Sequence, residues 1–280
     1  MAAEVIRDNH SEQVIDHYKG ADEKNRLKAG IGPLEFARMK ELISQYLPPV
    51  PGVICDIGGA AGEYSFWLAE KGYSVHLIDI VPAHIKQAKE RAAISGKAKP
   101  VEMKVGDALD MDYPNNFFDA AFLAGPLYHL TDRRDRVNAL REAKRILKPG
   151  GILIAYGITR YASLMAGLLD GRIWNEDFME MLRKEIPTGI HERCGSNNPN
   201  ASLSSAFFHL PKELKYEVGE AGMCIEKILG VLGPAWMAKD FEESWHDENR
   251  REIILEVARL TESQPELGPR TMIIAKKPLE

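Results

Sequence analysis

With 280 residues, of which 45% are hydrophobic and 28% charged, the sequence has the length and apolar content to bury a continuous core, which excludes a disordered or fibrous chain. A formal net charge of −5 gives no electrostatic footprint for a polyanion and favours small-molecule substrates over nucleic acid. Cys55, Cys194 and Cys224 stand far apart without a CxxC pair, residues 1–16 lack the apolar stretch of a signal peptide, and no run approaches 18 apolar residues; neither a disulfide framework nor a bound metal is expected, and the expected location is cytoplasmic.

In chain order, Met39, Leu42, Ile43 and Tyr46 recur at helical spacing after Pro33, and Pro48-Pro49 forbids continuation, so residues 1–50 read as an N-terminal helical segment. A short apolar run, Gly52 to Asp56, predicts a strand ending in a carboxylate. Gly58-Gly-Ala-Ala-Gly62 follows it and leads into a helix bearing Tyr64, Phe66, Trp67 and Leu68. Ser74 to Asp79 repeats the pattern, and Pro82 opens a second helix carrying Ile85, Ala88 and Ala92. Further strands are expected at Pro100–Val105, Phe117–Leu123 and Ile152–Tyr156. Between the last two, Asp132 caps a helix whose Val137, Leu140 and Leu147 share a face and which Lys148-Pro-Gly-Gly151 stops.

Strands alternating with helices through short connections imply an α/β fold with a doubly wound, mostly parallel sheet whose ligand lies beyond the strands' carboxyl ends. Residues 51–157 form the ligand-binding core of that reading. In 158–210 the alternation stops, and this stretch reads as a helical lid or cap inserted after the fifth strand. The pattern returns over 211–280 with a helix at Pro211–Glu220, a strand at Ile225–Leu232, a helix at Asn249–Leu260 and a strand at Arg270–Ala275. Ile253, Ile254 and Val257 are expected to pack the third of these into the core.

A glycine turn between strand and helix lets a ligand approach the backbone, while the helix N-terminus presents free N–H groups. Aligned to GxGxxG the turn offers Gly58, Ala60 and Glu63, which places a carboxylate near where a pyrophosphate would lie and disfavours NAD or FAD. S-Adenosylmethionine carries no phosphate and needs acceptors for an ammonium, a ribose diol and an adenine amino group. Asp56 before the turn suits the ammonium. Asp79, 21 residues after Gly58, suits the ribose hydroxyls, and Asp107 beside Ala108 suits the adenine.

These residues resemble the class I S-adenosylmethionine-dependent methyltransferases, in particular the small-molecule branch typified by ubiquinone and menaquinone biosynthesis enzymes. The resemblance runs from Val53 to Gly157 through Val53-Ile-Cys-Asp-Ile-Gly-Gly-Ala-Ala-Gly62, Leu77-Ile-Asp79, Gly106-Asp-Ala108, Phe117-Phe-Asp-Ala-Ala-Phe-Leu123 and Leu147-Lys-Pro-Gly-Gly-Ile152. Ala60 stands where the family usually has a middle glycine. The resemblance implies a seven-stranded sheet with an antiparallel seventh strand, for which Arg270–Ala275 is the candidate. It implies cofactor contacts at Asp56, Gly58, Gly59, Ala60, Gly62, Asp79, Ile80, Gly106, Asp107, Ala108 and Leu123, with Tyr18 and Arg26 closing over the cofactor, which leaves as S-adenosylhomocysteine.

After the fourth strand, Ala124-Gly-Pro-Leu-Tyr-His-Leu130 occupies the position that faces the transferring methyl group in this family. The chain lacks the Asn/Asp-Pro-Pro-Tyr motif of enzymes that methylate amino groups of DNA bases or protein glutamine, and those substrates are demoted. His129 is the candidate base and Tyr128 the candidate orienting group; the alternative is that His129 caps the next helix or shapes the pocket. Tyr161, Trp174, His191, Glu192, Cys194 and His209 in or beside the insertion read as core or surface residues, and His191-Glu-Arg-Cys194 falls short of a zinc site. The expected reaction is methyl transfer to an O, N or C nucleophile of a small metabolite. A non-catalytic S-adenosylmethionine-binding protein and an NAD-dependent oxidoreductase are the alternatives.

Overall fold

The sheet strands are apolar along nearly their whole length because both of their faces are covered, and successive residues feed opposite cores. In the computed structural model, which describes residues 12, 14–18, 25–96, 98–192 and 205–280, Leu153 and Ala155 enter one core while Ile154 and Tyr156 enter the other. Ile273 and Ala275 alternate with Met272 and Ile274 in the same way. The first core is closed by α5 (Arg133–Ile146) and α8 (Pro211–Glu220), the second by α1 (Gly32–Tyr46) and α10 (Glu248–Leu260).

Seven strands, β1 (Val53–Ile57), β2 (Ser74–Asp79), β3 (Glu102–Val105), β4 (Phe118–Leu123), β5 (Leu147–Ile158), β8 (Cys224–Gly230) and β9 (Arg270–Lys276), form one sheet in the order β3-β2-β1-β4-β5-β9-β8. The first five are mutually parallel, and β9 runs antiparallel to both β5 and β8, so the expected antiparallel strand is present. Crossovers are made by α2 (Glu63–Glu70), α3 (Pro82–Ile94) and the pair α4 (Pro126–His129) and α5. The strand order reverses between β1 and β4, and a crevice opens outside their carboxyl ends at such a switch point.

The expected helices and strands lie within a few residues of their anticipated bounds. Two differences are physical. β5 begins at Leu147, because Leu147 pairs with Phe118 before an irregularity lets the Lys148-Pro-Gly-Gly151 turn pass and pairing resumes at Ile152. On α10 the buried residues are Ile254, Leu255 and Ala258, and Ile253 points outward at 59% exposure, one step of about 100° off the packed stripe.

The chain leaves the sheet after Ile158 and returns at His209, and the two ends are stitched together: His209 N–H donates to Ile158 O at 2.8 Å, and Arg160 N–H donates to His209 O at 2.8 Å. Between them lie α6 (Ala162–Asp170), α7 (Glu176–Thr188) and an antiparallel hairpin of β6 (Ile190–Glu192) and β7 (Ser205–Phe207). Asn175 caps α7 by accepting the Phe178 N–H at 3.0 Å. Short α9 (Phe241–His246) precedes α10. Among the described residues, no helix is long and apolar enough to cross a membrane.

Candidate active site

The glycine turn after β1 is held close against its surroundings. Gly58 N–H and Gly59 N–H both donate to Ile78 O, at 2.8 and 3.3 Å, which ties the turn to the end of β2. A Cβ on Gly59 would lie 2.5 Å from the Asp56 carboxyl and from Leu77 Cδ1, and one on Gly58 would lie 2.5 Å from Pro126 Cδ. Only glycine permits that approach. Ala60 takes a left-handed φ of 50°, which explains why glycine is usual at this position.

Beyond this turn lies one cavity, and most of the sequence-predicted site residues line it: Tyr18, Arg26, Asp56, Gly58, Gly59, Ala60, Asp79, Ile80, Gly106, Asp107, Ala108, Tyr128 and His129. Two do not. Leu123 is fully buried in the core on the face of β4 opposite Phe122, and it is not among the residues that line the cavity. Gly62 sits behind the turn with φ 85°, where a Cβ would meet Leu77 and Phe66, so it serves the entry into α2.

The three acids differ in what they have left to offer. Asp56 is completely buried; Ser65 Oγ–H donates to its Oδ2 at 2.5 Å, while Oδ1 has no partner among the described residues. Burial pushes its carboxyl up to about 7, the Ser65 hydrogen bond pulls it down, and nearby Asp79 pushes it up again. An orphaned oxygen in a cavity wall calls for a donor from a ligand, and an ammonium group fits it. Asp79 accepts Ala60 N–H at 2.8 Å on Oδ2, and Val81 N–H at 2.9 Å and His84 Nδ1 at 3.0 Å on Oδ1. Asp107 spends Oδ1 on the Leu109 N–H at 2.9 Å, forming a tight turn beside Ala108. Glu63, the residue set against a pyrophosphate, is paired with Arg91 at 2.7 Å.

The opposite wall follows β4. A Cβ on Gly125 would stand 2.9 Å from Gly58 O, so the turns after β1 and β4 pack backbone to backbone, and α4 then presents Tyr128 and His129. Asp132 caps α5 by accepting Arg134 N–H at 2.8 Å, so the capping role considered for His129 is already filled. His129 Nε2 lies 2.9 Å from the Tyr18 hydroxyl. The Tyr18 ring stands edge-on to both His129 and His84, with centroids 5.5 and 4.8 Å away. Arg26 reaches the cavity while holding Glu35 at 3.0 Å, and Arg270 approaches the same carboxylate at 3.4 Å. Burial pushes Glu35 up, but the two guanidinium groups outweigh it and hold the carboxyl below its usual range. Tyr64 lines the cavity nearby, and burial pushes its phenol well above the ordinary value, so it stays protonated.

Val14, Leu27, Tyr64, Val81 and His84 also line the cavity but were not among the site residues read from the sequence, while Pro126 lines it within the Ala124–Leu130 string. His84 and Val81 had a findable signal, since they occupy the first turn of a helix that follows an acid-ended strand. Val14, Leu27 and Tyr64 had none, because only the fold brings them there. The insertion residues stand away from the cavity. His191 Nδ1 is 2.5 Å from buried Glu185, and its ring stacks on Phe208 at 4.8 Å. His209 is buried against Glu217 at 3.2 Å, and its burial pushes the imidazole down. Glu192 and Trp174 are exposed, Trp174 at 86%; Tyr161 precedes α6; and Cys194 lies outside the described residues. Tyr128 packs against Ile158, Ala162, Ala206 and Phe208, which makes it the link between cavity and insertion.

Residues 55–155 match the methyltransferase domain family. Over 118 residues the chain is 30% identical to a ubiquinone/menaquinone biosynthesis C-methyltransferase of Cereibacter sphaeroides, a stretch covering 41% of this chain and 46% of that protein. Over 163 residues it is 29% identical to methyltransferase GfsG of Streptomyces halstedii, covering 52% of this chain and 58% of that one. The chain thus spans about half the length of these relatives. A solved S-adenosylmethionine-dependent methyltransferase of Methanosarcina mazei superposes with a TM-score of 0.61 at 23% identity, over 85% of this chain and 98% of that one. The [4+2]-cyclase SpnF superposes at 0.55 and 18% identity, over 87% and 81%, so this fold also carries a differently named chemistry. The sheet order is that of these solved methyltransferases, and residues 55–155, which carry the glycine turn and the three acids, are similar to the methyltransferase domain.

Proposed function

We propose that this protein transfers the methyl group of S-adenosylmethionine to a nucleophile of a small metabolite. The observation that carries the reading is buried Asp56, which lines a cavity walled on the other side by Tyr128 and His129 and whose Oδ1 has no partner among the described residues. In this reading Asp56 holds the amino-acid ammonium, Asp107 offers its second oxygen to the adenine amino group, and Ile80 and Ala108 pack against the base. When bound, the cofactor supplies an electrophilic methyl group on a sulfonium. Tyr128 orients the acceptor against it, and His129 Nε2, now beside the Tyr18 hydroxyl, receives the acceptor's proton. Proximity and exclusion of water supply the rest of the acceleration. The insertion packs against Tyr128 from behind and so braces the residue that orients the acceptor. Relatives named as C-methyltransferases make an acidic carbon the first acceptor class to try.

Calorimetric titration with S-adenosylmethionine, S-adenosylhomocysteine and NAD tests the reading. Both sulfur ligands should bind with micromolar affinity and NAD should not; folded protein that binds neither sulfur ligand removes it. Asp79→Ala should then weaken S-adenosylhomocysteine by roughly 1–3 kcal/mol through lost charge-assisted hydrogen bonds.

A further inference from the structure

We infer that His84, acting with Asp79, forms a two-residue clamp for the vicinal diol of the cofactor's ribose. This rests on the reading of the cavity as an S-adenosylmethionine site. A carboxylate offers about four lone pairs. Asp79 has committed three of them: two on Oδ1 to the Val81 N–H and His84 Nδ1, and one on Oδ2 to the Ala60 N–H. One lone pair therefore remains, on Oδ2, whereas a vicinal diol brings two hydroxyl groups.

His84 supplies the missing partner. It lines the same cavity, it is 2% exposed, and its Nε2 is buried with no hydrogen-bond partner among the described residues. Because a carboxylate accepts at the Nδ1 contact, the tautomer that suits it carries its proton on Nδ1 and leaves an accepting lone pair on Nε2. A buried polar atom left unpaired is unusual, and it is explained when a ligand group completes it. The Asp79–Nδ1 bond fixes the ring's orientation, as a carboxylate does for a metal-binding imidazole, so the acceptor is preset before the ligand arrives. One hydroxyl then donates to Asp79 Oδ2 and the other to His84 Nε2. The clamp reads two adjacent hydroxyls rather than one.

The test is calorimetric titration of wild-type protein, His84→Asn and His84→Phe with S-adenosylhomocysteine and with its 2′-deoxy and 3′-deoxy analogues, after thermal melting establishes that each variant is folded. Asn places an amide N–H where Nδ1 was and nothing where Nε2 was, so it keeps the Asp79 bond and removes only the proposed contact. Wild type should bind each deoxy analogue about three- to tenfold more weakly than the parent. His84→Asn should bind the parent more weakly by the same factor, and one of the two analogues should lose its penalty because its partner is already gone. Parent affinity unchanged in His84→Asn, with both penalties intact in His84→Phe, overturns the clamp while leaving the site reading in place. Wild type that binds no S-adenosylhomocysteine overturns both.

Discussion

On the cofactor side of the cavity, the wall is made from the ends of three parallel strands and the turns after them, and its acids are held by groups of the same or the adjacent βα unit: Asp56 by the Ser65 hydroxyl, Asp79 by the Ala60 and Val81 N–H groups, Asp107 by the Leu109 N–H. On the acceptor side, the wall is assembled from Tyr18, Arg26, Tyr64 and Tyr128–His129, and its central hydrogen bond joins residues 111 positions apart. One wall is local geometry repeated at each strand end; the other is the meeting of distant segments. The first tolerates little change in the backbone, and the second is free to vary with the substrate.

That contrast is most sharply tested at two glycines. Gly59→Ala should cost about 2–3 kcal/mol in chemical denaturation and abolish cofactor binding, because the added methyl meets a buried carboxyl and Leu77 at 2.5 Å. Gly167→Ala in the insertion also creates a close contact, 2.3 Å from Phe178 Cε1, but a ring edge can turn and the helix gains up to about 1 kcal/mol of propensity. Its stability should stay within about 1 kcal/mol of wild type and its S-adenosylhomocysteine affinity should not move. Equal losses at both sites would erase the distinction.

A second effect belongs to the cofactor side alone. Burial raises the Asp56 carboxyl to about 7, so the folded protein holds a proton there that the unfolded chain releases near its ordinary value of 3.8. The ligand-free protein should therefore lose stability as pH rises through that window. An ammonium ligand prefers the ionised carboxylate, so S-adenosylhomocysteine affinity should increase as pH rises toward 7, by at most about tenfold per unit, and level off above it. Titrations in buffers of different ionisation enthalpy should register proton release, and Asp56→Asn should remove both slopes. A flat affinity profile in wild type would detach Asp56 from the ligand's charge.

The smallest effect concerns the departure at position 60. Left-handed backbone costs alanine about 1–2 kcal/mol, and glycine gives back part of that through its freer unfolded state. Ala60→Gly should gain roughly 0.5 kcal/mol by denaturation, with affinity unchanged because the Ala60 N–H to Asp79 bond uses the backbone.

The sheet and the acid-lined wall were legible because most strands read as apolar runs and the first three run into an acid at or just past their ends, with a glycine or a proline close by. The Asp132 cap was legible from its place before an amphipathic run, whereas the antiparallel direction of the strand near residue 270 came from the family resemblance and not from its residues. His84 was passed over although it opens the helix after an acid-ended strand, and its part in the site shows only once Asp79 Oδ1 is seen 3.0 Å from its ring. Tyr64 reads as one apolar residue in an apolar helix. The insertion's Glu185–His191 pair joins α7 to β6 across a turn, and nothing in the spacing tells a buried carboxylate from a solvated one. Leu123 shows the converse: it stands next to the site in sequence, yet its side chain is fully buried in the core.

The placement of β9 between β5 and β8 has a consequence for biogenesis. Synthesis proceeds from the amino end, so β8 is made before β9, its one neighbour in the sheet among the described residues. Until residues 270–276 emerge and slide in, the open flank of β5 and one whole edge of β8 present unpaired backbone, and the surfaces later covered by Met272, Ile273 and Ile274 stay bare. A nascent chain at that stage is a substrate for chaperones and for β-edge aggregation. Arg270, the first residue of that strand, also braces the Glu35 that holds Arg26 at the cavity, so insertion of this one strand seals the sheet and finishes the pocket's rim in the same event.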